Sequence, residues 1–224
     1  MNAPVQHAAA DAAAFIRANT RLEAPPLVPE IRLHLASELV PLWQASESEL
    51  ERQGVPPPYW AFAWAGGQAL ARYLLDNPLL VRGRAALDFG AGSGLQGLAA
   101  ARAGAARVLA LDIDPYACAA IGLNAAANEL TIEVSAQDLI DDPCAAFEVI
   151  LAGDVCYERP MAGRVERWLK ALAAAGKTVL LGDPGRTYLP QDGLERVTGY
   201  AVKTTREIED SDLRNAVVWR VAGQ

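Results

Sequence analysis

The sequence predicts an α/β protein: a doubly wound, mostly parallel seven-stranded sheet with a C-terminal antiparallel hairpin and an N-terminal helical extension. Three observations point there. From residue 85 onward, short apolar strands alternate with helical stretches of about 10–16 residues, the kind of crossover that parallel strands require. Acids and glycines gather just after those strands, where open α/β sheets bind ligands. The runs YAVKTTREI and LRNAVVWRV near the end are β-rich and suited to antiparallel pairing.

In chain order, residues 27–52 read as one or two short helices interrupted by Pro41. Pro56, Pro57 and Pro58 then impose an extended, stiff segment. Ala69, Leu70, Tyr73 and Leu74 recur at helical spacing, and Asn77-Pro78 marks a stop. AALDF is the first strand and LQGLAAARAG a helix ending at Gly104. ARVLALD is the second strand, and the next helix has Pro115 in its first turn. TIEVS, FEVILAGD and KTVLLGD supply further strands, with a helix closed by Gly176 before the last of them. Residues 1–80 are therefore expected to form a helical extension with a tryptophan-containing lid over cofactor and substrate. Residues 81–224 should form the core.

Composition removes several classes of function. Lys and Arg number 20 against 27 Asp and Glu, a net charge of −7. That opposes broad nucleic-acid binding, which needs a basic footprint, and suits a neutral or basic protein partner or a small substrate. No apolar run approaches the roughly 20 residues of a membrane helix, and the opening residues lack a secretory signal's basic start and apolar stretch. A cytoplasmic protein is expected. Cys118, Cys144 and Cys156 form neither a CxxC pair nor a disulfide framework. With two histidines besides, no zinc site is expected.

The strongest local signal is LDFGAGSG, residues 87–94. Gly90, Gly92 and Gly94 allow a sharp turn and a close approach of backbone to ligand. A helix starting near Leu95 directs its positive end at the same place. Asp88, at the strand end, can fix the loop or meet an ammonium group. Asp112 closes the second strand, where ribose hydroxyls are expected to find an acceptor. Asp114 reads instead as the cap of the following helix.

Gly92, Gly94 and Gly97 also spell the dinucleotide fingerprint, but Gly90 and Ala91 separate it from the strand. An acid ahead of the loop suits the zwitterionic tail and sulfonium of S-adenosylmethionine better than a pyrophosphate, so the methyl donor is preferred. Asp138, beyond the third strand, stands where an adenine amino group could be recognised, or serves as a turn cap. Trp60 and Trp64 share a face if their stretch is helical, and either fill the core or wall the pocket.

Asp154 and Tyr157, after the fourth strand, open on the same edge. Methyl transfer needs alignment and a free lone pair. Holding a lysine neutral at pH 7 costs roughly 4–5 kcal/mol against its reference pKa of about 10.4. Asp154 can steer the ammonium, while desolvation by Tyr157, Trp60 or Trp64 opposes its tendency to keep the proton. Asp183 and Arg186, in GDPGR, could form a rim that reads the substrate.

The stretches PPYWAFAWAGGQALARYLLDNP, ALDFGAGSG, LALDIDPYA with Asn124, DVCY and LLGDPGR carry a resemblance. The chain resembles the class I, seven-β-strand, Rossmann-like methyltransferases, within the protein-lysine methyltransferases that carry a D-x-x-Y motif. More narrowly, it is similar to bacterial electron transfer flavoprotein β-subunit lysine methyltransferases. The resemblance implies S-adenosyl-L-methionine held by Gly90, Gly92, Gly94, Asp112 and Trp64, and a lysine positioned by Asp154. It implies adjacent lysines of the flavoprotein β-subunit as targets. Wider relatives extend the substrate class to ribosomal proteins. A small-molecule methyltransferase and a non-catalytic nucleotide-binding regulator are the rival readings.

Overall fold

The computed structural model describes residues 12–36, 57–204 and 213–223. Residues 12–19 are helical (α1), followed by strands β1 (Arg21–Glu23) and β2 (Leu33–Leu35). Helix α2 spans Ala65–Asp76. The alternating part runs β3 (Ala85–Phe89), α3 (Leu95–Arg102), β4 (Arg107–Leu111), α4 (Pro115–Ala127) and β5 (Glu133–Ser135). It continues with β6 (Val149–Gly153), α5 (Met161–Ala174), β7 (Thr178–Asp183), β8 (Leu194–Lys203) and β9 (Leu213–Val221).

Seven strands form one sheet in the order β5-β4-β3-β6-β7-β9-β8. The first five are parallel, and β9 returns antiparallel between β7 and β8. All of β6 is buried, and β7 is buried from Val179 to Asp183, because helices cover both faces. That is why these strands read as unbroken apolar runs rather than as alternations. Strand order reverses between β3 and β6, so a crevice opens at their carboxyl ends.

Local chemistry fixes the helix ends. Asp114 Oδ1 accepts the Tyr116 N–H at 2.8 Å, capping α4 as its sequence position suggested. Gly176, at φ +86°, stands just past α5. Helix α2 starts with Gly66-Gly67 for a different reason. A Cβ on Gly66 would overlap the Gly182 carbonyl oxygen and lie 2.7 Å from Asp154 Oδ2. The bare backbone lets the helix start press directly against the ends of β6 and β7.

The N-terminal segment departs from the expected helices. Of residues 27–52, residues 27–36 form turns and β2, which pairs antiparallel with β1; residues 37–52, including Pro41, lie outside the described residues. Two asparagines four residues apart, Asn124 in α4 and Asn128 at its C-cap, hold this segment. Asn128 Oδ1 accepts the Arg32 N–H and its Nδ2 donates to the Arg32 carbonyl. Asn124, fully buried, accepts the His34 N–H at 2.7 Å and donates to the Ser93 carbonyl at 2.9 Å. The glycine loop and the hairpin thus share one side chain. The backbone pairing outside the main sheet was invisible because β1 and β2 are only three residues each. Val28, Ile31 and Leu33 nevertheless sit in the same apolar core as α2 and α3.

Asn124→Ala leaves two backbone groups without a partner in a buried setting. It is expected to lower unfolding free energy by about 2–6 kcal/mol, at roughly 1–3 kcal/mol per orphaned group. Urea titration checks this; a midpoint indistinguishable from wild type would remove Asn124 from that role.

Candidate active site

The glycine loop lies at the carboxyl end of β3, beside the reversal point. Gly90, Gly92 and Gly94 all take positive φ, at +61°, +52° and +79°. A Cβ on Gly94 would press to 3.1 Å against Ile121, whereas one on Gly92 would meet nothing nearer than 3.9 Å. Gly92 therefore turns open backbone toward the crevice, and Gly94 keeps the loop close to α4. Asp112 follows β4, on the side of β3 away from β6, and reaches the glycine loop. Its Oδ2 accepts the Gly92 N–H at 2.8 Å and its Oδ1 the Asp114 N–H at 3.0 Å. Burial raises its pKa, and the two N–H bonds oppose that rise.

Asp88 is fully buried beneath the loop, where its Oδ2 accepts the Gly97 N–H of α3 at 2.7 Å. That bond ties the end of β3 to the first turn of α3, across the base of the loop. Its Oδ1 is buried with no hydrogen-bond partner among the described residues. Burial, offset by the Gly97 bond, pushes its pKa up from 3.8 to about 7. A carboxyl that binds its proton more tightly folded than unfolded stabilises the fold at low pH. That contribution is lost as pH rises from about 4 through 7. Asp88→Asn is expected to flatten this fall in stability between pH ~5 and ~8. Urea midpoints at the two pH values report it, and an unchanged pH dependence would contradict it.

Asp138 is exposed beyond β5 and its Oδ1 accepts the Ile140 N–H at 2.9 Å, so it closes a turn at the rim.

The reacting end is more tightly knit than its sequence suggested. Asp154 follows β6 at φ +58°, a conformation that non-glycine residues rarely take. Its carboxylate, 7% exposed, is held on both oxygens. Oδ2 accepts the Gly67 N–H at the start of α2, 2.7 Å away. Oδ1 accepts Nη2 and Nε of Arg186 at 2.7 and 3.0 Å. The Arg186 guanidinium also lies 5.4 Å from the centre of the Trp64 ring. Tyr157 is exposed beside Tyr59, ring centres 5.6 Å apart, and Tyr59 is 6.1 Å from Trp64. Although Tyr157 is 45% exposed, partial desolvation and the neighbouring Tyr59, Glu158 and Asp112 raise its pKa, and its phenol keeps its proton at neutral pH. Burial likewise pushes the Cys156 thiol up to about 12, which removes it as a nucleophile.

Two expectations are corrected here. Trp60 and Trp64 do not share a helical face, because Tyr59–Ala61 is a single 3-10 turn and Trp64 is extended at the start of α2. Trp60 is buried, stacked on Tyr116 in a cluster with Ile16 and Ala117, while Trp64 stays half-buried at the cleft. Asp183 is not a substrate-reading rim: it is buried, and its Oδ1 accepts the N–H groups of Gly185 and Arg186 at 2.7 Å. It aims the Arg186 backbone. Only Arg186 of that pair reaches the site, and it does so through Asp154.

Sequence reasoning gave no role to Tyr59, Gly67 or Gln68. Gln68 is buried, donates to the Ala63 carbonyl and accepts the Leu27 N–H, tying the N-terminal segment to α2. The signal was the Gly-Gly-Gln run itself, since paired glycines at a helix start imply close packing rather than flexibility. Among the described residues, no group of three His, Cys, Asp or Glu is placed to hold a metal, and no helix is long and apolar enough to cross a membrane.

A parallel sheet of this order, a glycine turn after its first strand, an acid closing the second and a buried acid after the fourth define a methyltransferase. The comparisons agree. Residues 69–156 match the ribosomal protein L11 methyltransferase (PrmA) family. The chain is 38% identical over 216 residues to the electron transfer flavoprotein beta subunit lysine methyltransferase of Homo sapiens, covering 92% of this chain and 80% of that protein. The Xenopus laevis protein of the same name is 37% identical over 211 residues, covering 92% and 85%. Among solved structures, SMU.776, assigned as a methyltransferase and complexed with SAH, aligns over 85% of this chain and 53% of that one. Its TM-score is 0.52 at 11% identity, a likeness of fold. The chain belongs to the electron transfer flavoprotein beta subunit lysine methyltransferase family.

Proposed function

We propose that this protein methylates lysine side chains of the electron transfer flavoprotein β-subunit, using S-adenosyl-L-methionine. One observation carries the reading: the glycine loop and the Asp154 carboxylate leave adjacent parallel strands, β3 and β6, at the same edge of the sheet. A methyl donor and a lysine can therefore meet between them.

The residues suit that donor. Backbone at Gly90, Gly92 and Gly94 would cradle its amino-acid end, with Asp88 bracing the loop from beneath. Asp112 would accept from ribose hydroxyls, Asp138 would meet the adenine amino group, and Trp64 would wall the cleft. When bound, the sulfonium supplies an electrophilic methyl group and retains the bonding pair as the methyl leaves. The chain's own task is to orient a lysine nitrogen and let it shed its proton. Asp154 and Tyr157 would position that nitrogen, and Tyr59 with Trp64 would keep water from it. The segment through residue 80 would then act as the lid. Unpaired cysteines fit a reducing compartment such as the cytoplasm.

The test is incubation of purified flavoprotein β-subunit with labelled S-adenosylmethionine and this protein, followed by peptide mass mapping. Methyl-lysine is expected. A methylated small molecule with unmodified lysines would overturn the substrate assignment, and no transfer at all would overturn the catalytic one.

A further inference from the structure

We infer that Arg186 is a positioning residue for the reaction: by neutralising Asp154 it lets the substrate lysine bind as a free amine. The inference rests on the reading that Asp154 meets the target lysine. A lone carboxylate at that place works against methyl transfer. It draws in the ammonium but raises its pKa, by roughly 1–3 units for a close unscreened pair. Each unit removes about nine-tenths of the reactive amine at a pH below the pKa.

The geometry answers that difficulty. Both nitrogens that Arg186 directs at Asp154 reach Oδ1, and the start of α2 occupies Oδ2. The carboxylate is buried, and the side chain of Arg186 is 18% exposed, so solvent screens the pair weakly. Asp183 fixes the Arg186 backbone at two N–H groups, and Trp64 faces the guanidinium. A lysine arriving here meets a compensated ion pair and aromatic rings rather than a bare anion. Desolvation by those rings lowers its pKa. The ammonium gives one proton to solvent water, and the pair left on nitrogen forms the new N–C bond.

Among the described residues, the nearby Lys170 is taken up by Glu166 and Asp192 and does not replace Arg186. Asp183, Cys156, Tyr157, Tyr59, Glu158 and Glu166 surround this end, with Asp112 across the cleft; all are acidic or neutral. Cys156 and Tyr157 stay protonated at neutral pH, because desolvation, full for Cys156 and partial for Tyr157, and the neighbouring acids raise both.

The test is the acid limb of the kcat pH profile, which reports the bound complex. Arg186→Gln should move that limb up by about one unit, lowering kcat at pH 7 about tenfold while the deficit closes at high pH. Arg186→Lys keeps the charge and should leave the limb in place. Asp154→Asn should move it down, so a poorly folding glutamine variant does not remove the test.

A readout independent of turnover is proton release when the flavoprotein β-subunit binds in the presence of S-adenosylhomocysteine. Calorimetry in buffers of different ionisation enthalpy should show less release for Arg186→Gln than for wild type. A loss in Arg186→Gln that is equal at every pH, an unmoved limb in Asp154→Asn, or unchanged proton release would overturn the inference. Wild type that forms no methyl-lysine would instead overturn the reading beneath it.

Discussion

Asp154→Ala is expected to lower turnover by about 10²-fold or more, the scale of a misplaced reactant, while cofactor affinity changes less than about threefold. The asymmetry follows from where the Asp154 carboxylate is anchored, on Arg186 and the start of α2, at the end of β6 rather than of β3. The same substitution strands a largely buried guanidinium and the Gly67 N–H. It should therefore also destabilise the fold by about 3 kcal/mol. Initial rates at saturating cofactor, with calorimetry of S-adenosylhomocysteine binding, separate the effects. Near-wild-type turnover would reject the role of Asp154.

Asp112→Ala should show the opposite pattern. The carboxylate bridges the Gly92 and Asp114 N–H groups, tying the loop after β3 to the turn after β4. Its loss removes an anchor from the loop and the charged acceptor proposed for the ribose. Cofactor affinity is expected to fall about 10- to 100-fold, from roughly 1.5–3 kcal/mol per hydrogen bond to a charged group. Turnover at saturating cofactor should stay within about threefold. Calorimetry is decisive, since unchanged affinity would remove the ribose assignment.

The fold was legible because its signals are local and repeated. Four of the five parallel strands, β3, β4, β6 and β7, announce themselves as apolar runs ending in or followed by Gly or Asp, and Asp114-Pro115 marks a helix start by side-chain chemistry alone. The C-terminal hairpin was legible for the same reason, as two β-rich runs close together, and β8 pairs with β9.

The site was half legible. Position after a strand located Asp112 and Asp154, but it could not reveal Arg186 on the Asp154 carboxylate, 32 residues away. Nor could it show that Asp183 turns inward while its neighbour's side chain turns to the cleft. Such pairings depend on β6 and β7 lying side by side, a long-range fact that spacing does not encode. The tryptophans show the limit of periodicity. A spacing of four suggests one face only inside a helix, and Phe62 and Trp64 are extended. The N-terminal pairing depends on Asn124 and Asn128, whose partners lie about 90 residues earlier in the chain.

A crystal structure with S-adenosylhomocysteine and a lysine peptide of the flavoprotein β-subunit tests the central claim most directly. The ribose should lie on Asp112 and the sulfur should face the lysine nitrogen beside the Asp154–Arg186 pair. A ligand seated away from the glycine loop, or a sulfur turned from Asp154, would contradict the account.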